Sequence, residues 1–161
     1  MKQSAAVFAV IAMAMAIAVA LLAQQQDGST HIDGLTFLGE PVTVDEIALG
    51  QELYAANCAS CHGADLEGQP DWKRRLENGR MPAPPHDGTG HTWHHGDQQL
   101  FTITKLGITE VVPGYQSDMP VFDDVLTDDQ IRAVLAFIKS TWPERQRAFQ
   151  ADVTLGGEDG S

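Results

Sequence analysis

The sequence predicts an all-α domain of three to five helices gathered around one short cysteine-bearing turn. Three observations predict it. Thr43 with Glu46, and Thr127 with Gln130, have the spacing of capping boxes, in which a hydroxyl and a carboxamide or carboxylate satisfy the free N–H groups of a helix start. Apolar residues recur at helical spacing at Leu100, Phe101, Ile103 and Leu106, and again at Ile131, Val134, Leu135 and Ile138. The only two cysteines stand in Cys58-Ala59-Ser60-Cys61-His62, directly after the first of these segments.

That pentapeptide is a signature of covalent haem c attachment. Residues three apart share a helix face, so two sulfurs can reach one edge of a porphyrin while the next residue sets an imidazole at the iron as its proximal ligand. Other readings exist. A thioredoxin-type dithiol needs a surrounding βαβ pattern, which the flanking sequence lacks, and a zinc site needs a second cysteine pair to complete four ligands. The favoured reading is one covalent haem c, with Cys58 and Cys61 as anchors and His62 on the iron.

Taken in order, residues 1–23 carry Lys2 and then an unbroken small and apolar run from Ala5 to Ala23. This reads as a signal peptide or an N-terminal membrane anchor. The run exceeds the apolar stretch of about 7–15 residues usual for a cleaved signal and approaches the roughly 20 that span a bilayer. Ala18-Val19-Ala20 offers a cleavage pattern. Residues 24–42 read as a linker. A folded domain follows over 43–150, and its first helix, 43–57, carries Ile47, Leu49, Leu53 and Tyr54. Residues 63–90 form a long loop rich in glycine and proline, of the kind that usually wraps something functional. A helix over 96–107 ends at Gly107, and a second loop to Phe122 holds Met119. The helix opened by Thr127 runs through Ser140. Pro143 starts a short last helix to about Gln150, and 151–161 reads as a disordered tail.

The chain has 161 residues and a formal net charge of -12. Length suggests one domain. The negative balance argues against nucleic acid and against anionic membrane surfaces as partners. Membrane association is expected only through residues 5–23, if they are not cleaved.

The order of helix, haem motif, loop, helix, methionine loop and helix resembles the class I c-type cytochromes over residues 43–140. Gly50 and Tyr54 match the first-helix positions that cross the last helix in that family, and Phe137 matches the aromatic at the crossing. The resemblance implies the cytochrome c fold. It implies that Pro84 accepts a hydrogen bond from the proximal imidazole, and that Met119, followed by Pro120 and Phe122, is the distal iron ligand. The family usually has an apolar residue where His86 stands. Since haem c is attached outside the cytoplasm in bacteria, the resemblance places the domain on the periplasmic side of the inner membrane, soluble or anchored.

His86, His91, His94 and His95 fall within ten residues, with Trp93 among them. They are open to four readings: a structural loop, donors with Trp93 to the haem propionates, a further metal site such as copper at His91 and His94, or displacement of Met119. The function expected is one-electron transfer between exported redox partners, a donor and an acceptor, and not substrate turnover. Asp118, Asp123, Asp124, Asp128 and Asp129 suggest a partner with a basic face. The alternatives are an open-site haem enzyme or gas sensor, and a copper-handling redox module.

Overall fold

A computed structural model describes residues 30–158. The expected signal or anchor over 1–23, the start of the expected linker and residues 159–161 lie outside the described residues. Among the described residues are two short strands and five helices: β1 (His31–Phe37), β2 (Glu40–Thr43), α1 (Val44–Asn57), α2 (Ala59–His62), α3 (Asp97–Leu106), α4 (Asp128–Ser140) and α5 (Glu144–Glu158). No helix among them is long and apolar enough to cross a membrane.

Both capping boxes form. Thr43 Oγ1 accepts from the Glu46 N–H at 3.1 Å and Glu46 returns the bond at 3.4 Å; Thr127 and Gln130 do the same at 3.3 and 2.9 Å. Each cap is worth about 1 kcal/mol. α4 buries Ile131, Val134, Leu135 and Ile138 and crosses α1 at Gly50. A Cβ there would overlap the Ala133 carbonyl and come within 2.8 Å of the Phe137 Cβ. Glycine is therefore what lets the two backbones meet, and Tyr54, one turn on, packs its ring 5.6 Å from that of Phe137.

Two expectations need correction. Residues 31–42 of the expected linker form, with Thr43, an antiparallel hairpin, Phe37 facing Glu40 and His31 facing Thr43. Leu35, Phe37 and Val42 are buried, so the alternation drives the strands onto the helices. The turn is Leu38-Gly39, both with positive φ (52° and 79°), the backbone of a tight hairpin turn that usually carries asparagine first. The C-terminal segment likewise does not loosen at Gln150: α5 runs on to Glu158. Gln150 is fully buried, and Thr154 Oγ1 accepts from the Asp97 N–H at 3.2 Å.

Asp97 explains both. Its carboxylate is 1% exposed and accepts from Lys139 Nζ at 2.9 Å, the Leu38 N–H at 2.9 Å and Gln150 Nε2 at 2.6 Å. One buried anion at the start of α3 thus ties the hairpin turn, α4 and α5 together. On the other side of the hairpin, the Arg132 guanidinium pairs with Glu46 and donates to the carbonyls of Glu40 and Pro41 at 3.2 and 3.3 Å.

The 63–90 loop doubles back on itself. Gln69 N–H donates to the Ala83 carbonyl at 2.9 Å and His86 N–H to that of Leu66 at 2.8 Å. At the contact, a Cβ on Gly68 would overlap the backbone joining Pro84 to Pro85.

Gly50→Ala is expected to cost about 3 kcal/mol, the upper end of ordinary overpacking, read as a lower urea midpoint at unchanged slope. A midpoint equal to the parent's would mean that the helices re-space freely. Asp97→Ala should lose about 3–5 kcal/mol because it leaves Lys139 buried and unpaired. Adding Lys139→Met should recover part of that loss; a double variant no more stable than the single one would place the cost elsewhere.

Candidate haem-binding site

α1 runs straight into the cysteine motif. Cys58 ends the helix, its N–H still bonded to the Tyr54 carbonyl at 2.8 Å, and its own carbonyl accepts from Cys61 and His62 at 3.1 and 2.9 Å. The chain therefore stays in one helical turn through α2. Cys61 is exposed and Cys58 half-buried. Burial, with the neighbouring Cys61 adding to it, pushes the Cys58 thiol up to about 11. The turn stops at Gly63, whose φ of 83° suits glycine. The Tyr54 hydroxyl donates to the Gly63 carbonyl at 2.8 Å, a contact between the helix and the end of the motif that no sequence pattern announces.

His62 is 7% exposed. Its Nδ1 lies 2.9 Å from the Pro84 carbonyl oxygen, which can only accept. Nδ1 must therefore carry the proton, and Nε2 is left with the lone pair that a metal would take. Burial lowers the imidazole below its ordinary value, against a smaller opposing effect of the Pro84 bond. Both the burial and the Pro84 acceptor at Nδ1 are compatible with the neutral ring that a metal would take.

Trp93 and Met119 come from later segments, and both pack half-buried against the core to which Cys58 also adds. The methionine loop is pinned behind Met119, where the Phe122 N–H donates to the Thr104 and Lys105 carbonyls at 3.3 and 3.2 Å. In front, the Met119 N–H donates to Ser117 Oγ at 3.0 Å. The Trp93 indole N–H is buried and finds no acceptor among the described residues. An orphaned donor costs about 1–3 kcal/mol, and this one is closed to solvent by its neighbours. The set of two thiols, one lone-pair imidazole and one thioether is the donor chemistry of haem c.

The four histidines are not gathered at one point, although the rings of His91 and His95 stand edge to face with centroids 5.5 Å apart. His86 turns inward: its ring stacks on His62 with centroids 3.9 Å apart, and its Nδ1 lies 2.8 Å from Thr92 Oγ1. Burial, followed by the neighbouring His62 and His91, holds its pKa well below the ordinary range. His91 lies flat on Trp72 with centroids at 5.3 Å. His94 leans on Trp93 and Phe149 instead of meeting His91, and His95 Nδ1 faces Gln99 Oε1 at 3.2 Å. Among the described residues no three His, Cys, Asp or Glu side chains are grouped to hold a metal ion. Thr92 is the residue here that sequence reasoning missed. A threonine one residue before a tryptophan carries no signal, and only the folded loop brings it to His86.

The sequence profile of the family described as Cytochrome c matches residues 47–142. Among curated proteins, the chain is 32% identical over 108 residues to a cbb3-type cytochrome c oxidase subunit CcoP of Rhodobacter capsulatus, covering 66% of this chain and 33% of that one. It is 30% identical over 91 residues to the FixP subunit of Rhizobium meliloti, covering 56% and 26%. A nitrite reductase of Stutzerimonas stutzeri is 26% identical over 124 residues, covering 68% and 20%. The chain thus spans a third or less of the length of these relatives. No solved structure matches. The matched residues enclose the cysteine turn, the His62–Pro84 bond, Met119 and the α1–α4 crossing, and the chain belongs to the cytochrome c family, whose members bind haem c covalently.

Proposed function

We propose that this protein is a one-electron carrier that binds one haem c through Cys58 and Cys61, with His62 and Met119 as the axial iron ligands. The observation that carries the reading is the His62 Nδ1 bond to the Pro84 carbonyl at 2.9 Å, which leaves Nε2 as the coordinating nitrogen. When bound, haem supplies a one-electron couple whose potential a His/Met pair raises. The chain's own residues do the rest by holding still. The two sulfurs anchor, Pro84 fixes the His62 tautomer and raises its basicity, and Met119 offers a neutral thioether. Trp93 donates its free N–H to a propionate. Nothing in this scheme requires a side chain to gain or lose a proton, which is why we read a carrier and not an enzyme. The relatives named as cbb3-type oxidase subunits support a respiratory setting. Accordingly the proposed partners are a donor and an acceptor protein on the periplasmic side of a bacterial inner membrane, with residues 5–23 as signal or anchor.

The partner surface is proposed on the methionine side. Residues 106–130 hold six carboxylates, Glu110, Asp118, Asp123, Asp124, Asp128 and Asp129, and no lysine or arginine. Arg80 pairs with Asp118, and Lys105 is shared by Asp123 and Asp128 at 3.4 and 2.7 Å. Val112, Val121 and Val125 lie exposed among these acids. Exposed valines interspersed with carboxylates along this segment suit a partner whose docking face is basic.

The visible spectrum of the holoprotein tests the ligation. Low-spin bands with a weak sulfur-to-iron transition, unmoved by carbon monoxide, are expected; Met119→Ala should turn them high-spin and open the iron to carbon monoxide. Prompt binding by the parent protein would replace the carrier with an open-site enzyme or sensor. For the docking face, the bimolecular electron-transfer rate with a basic partner should fall steeply as salt is added. A rate independent of salt would remove the acidic face from docking.

A further inference from the structure

His86 occupies a position where the resembled family carries an apolar residue, and both its backbone and its ring are held. Its N–H donates to the Leu66 carbonyl at 2.8 Å. Its own carbonyl accepts from the indole N–H of Trp142 at 2.7 Å, and Trp142 is 1% exposed. The backbone is thus fixed from two sides, by the loop after the motif and by the segment after α4. The ring is fixed as well. Nδ1 meets Thr92 Oγ1 at 2.8 Å, Thr92 is 6% exposed, and the Tyr54 ring stands edge-on with centroids 6.5 Å apart. The remaining face lies against His62, centroid to centroid 3.9 Å and 20° from parallel.

These contacts matter because of what the Pro84 bond leaves free. One hydrogen bond at Nδ1 sets the tautomer and the direction of that N–H, but a ring held at a single edge atom can still rock about it. A second flat ring at van der Waals distance removes that motion, since any tilt of one plane drives it into the other. Leucine in the same place would fill the volume without defining a plane. We infer that His86 is a positioning residue that fixes the plane of the His62 imidazole, with Thr92 as the anchor that keeps His86 in the stack. This inference rests on the reading of His62 as an axial ligand.

The plane of an axial imidazole is read directly in oxidised low-spin holoprotein, from the anisotropy of the electron paramagnetic resonance signal and the order and spread of the haem methyl proton shifts. His86→Leu should change both while the optical spectrum stays low-spin. His86→Phe, which keeps a flat ring but loses the nitrogen, should return most of the parent pattern. Thr92→Val, which alters volume little and does not touch His62, should move the pattern in the same direction as His86→Leu, and it serves where the leucine variant fails to assemble. An unchanged pattern in His86→Leu or Thr92→Val, or a phenylalanine variant displaced as far as the leucine one, would overturn the inference. A parent holoprotein that is not low-spin would overturn the ligation reading, and this inference with it. A low-spin parent with unmoved variants would overturn this inference alone.

Discussion

The buried carboxylate of Asp97 is the interaction on which the arrangement of the outer elements depends. A charge 1% exposed is tolerated only when hydrogen-bonded on every side, and here the donors arrive from Leu38 in the hairpin, Lys139 in α4 and Gln150 in α5. Each of those elements extends beyond, or sits at the end of, the stretch shared with the cytochrome c family, residues 47–142. Lys139 lies inside it, Leu38 before it and Gln150 after it. The family core is built on the α1–α4 crossing at Gly50, and the additions at both ends are fastened to that core through one ion. Arg132 gives the hairpin a second attachment, to the Glu40 and Pro41 carbonyls. The hairpin cannot slide without withdrawing the Leu38 donor from the buried Asp97 carboxylate and the Glu40 and Pro41 carbonyls from Arg132.

The site inherits its order from the same elements but by another route. His62 is set by backbone, not by side-chain charge. Its N–H partner is the Pro84 carbonyl, and Pro84 is held where it is because Gly68 has no Cβ to push the two strands of the loop apart. Trp142, just past α4, reaches back to the His86 carbonyl. The 63–90 segment carries little regular structure, yet backbone bonds and the close contacts at Gly68 and Gly90 hold it between the motif and the last helices.

Much of this was legible from residues alone. Capping boxes at Thr43 and Thr127 announced α1 and α4 within one residue of where they begin, because such boxes depend only on local geometry. The cysteine motif and Pro84 were legible for the same reason in the first case and by resemblance in the second. What escaped depends on contacts distant in sequence. β1 alternates only over Leu35-Thr36-Phe37, its register shifts between His31 and Thr36, and its Leu38-Gly39 turn lacks the usual asparagine, so its sequence reads as linker. The C-terminal half of α5 contains Gly156 and Gly157 and a weak apolar stripe; it is helical because Thr154 and Gln150 find Asp97, some 55 residues earlier. The four histidines are close in sequence, and the rings of His91 and His95 do meet edge to face at 5.5 Å. The fold turns His86 inward and lays His91 on Trp72, and such directions are set by partners that no local pattern contains.

The two sides of the proposed haem site differ in how they are held, and the difference suits transfer of a single electron. On the proximal side, His62 is bonded to Pro84 and stacked on His86, and both of those are themselves bonded to buried or doubled-back chain. On the methionine side, Met119 is half-buried and held through its backbone to Ser117 and through Phe122 to the end of α3. A neutral thioether needs orientation but no charge compensation, so a loop can present it where an imidazole needs a proton acceptor at a fixed point. That economy leaves the loop's surface free to carry other chemistry, and in this chain it carries carboxylates around exposed valines. Under the proposed ligation, the proximal side would set the electronic character of the metal while the methionine side met the partner, so a change in docking charge would leave the His62–Pro84 bond untouched.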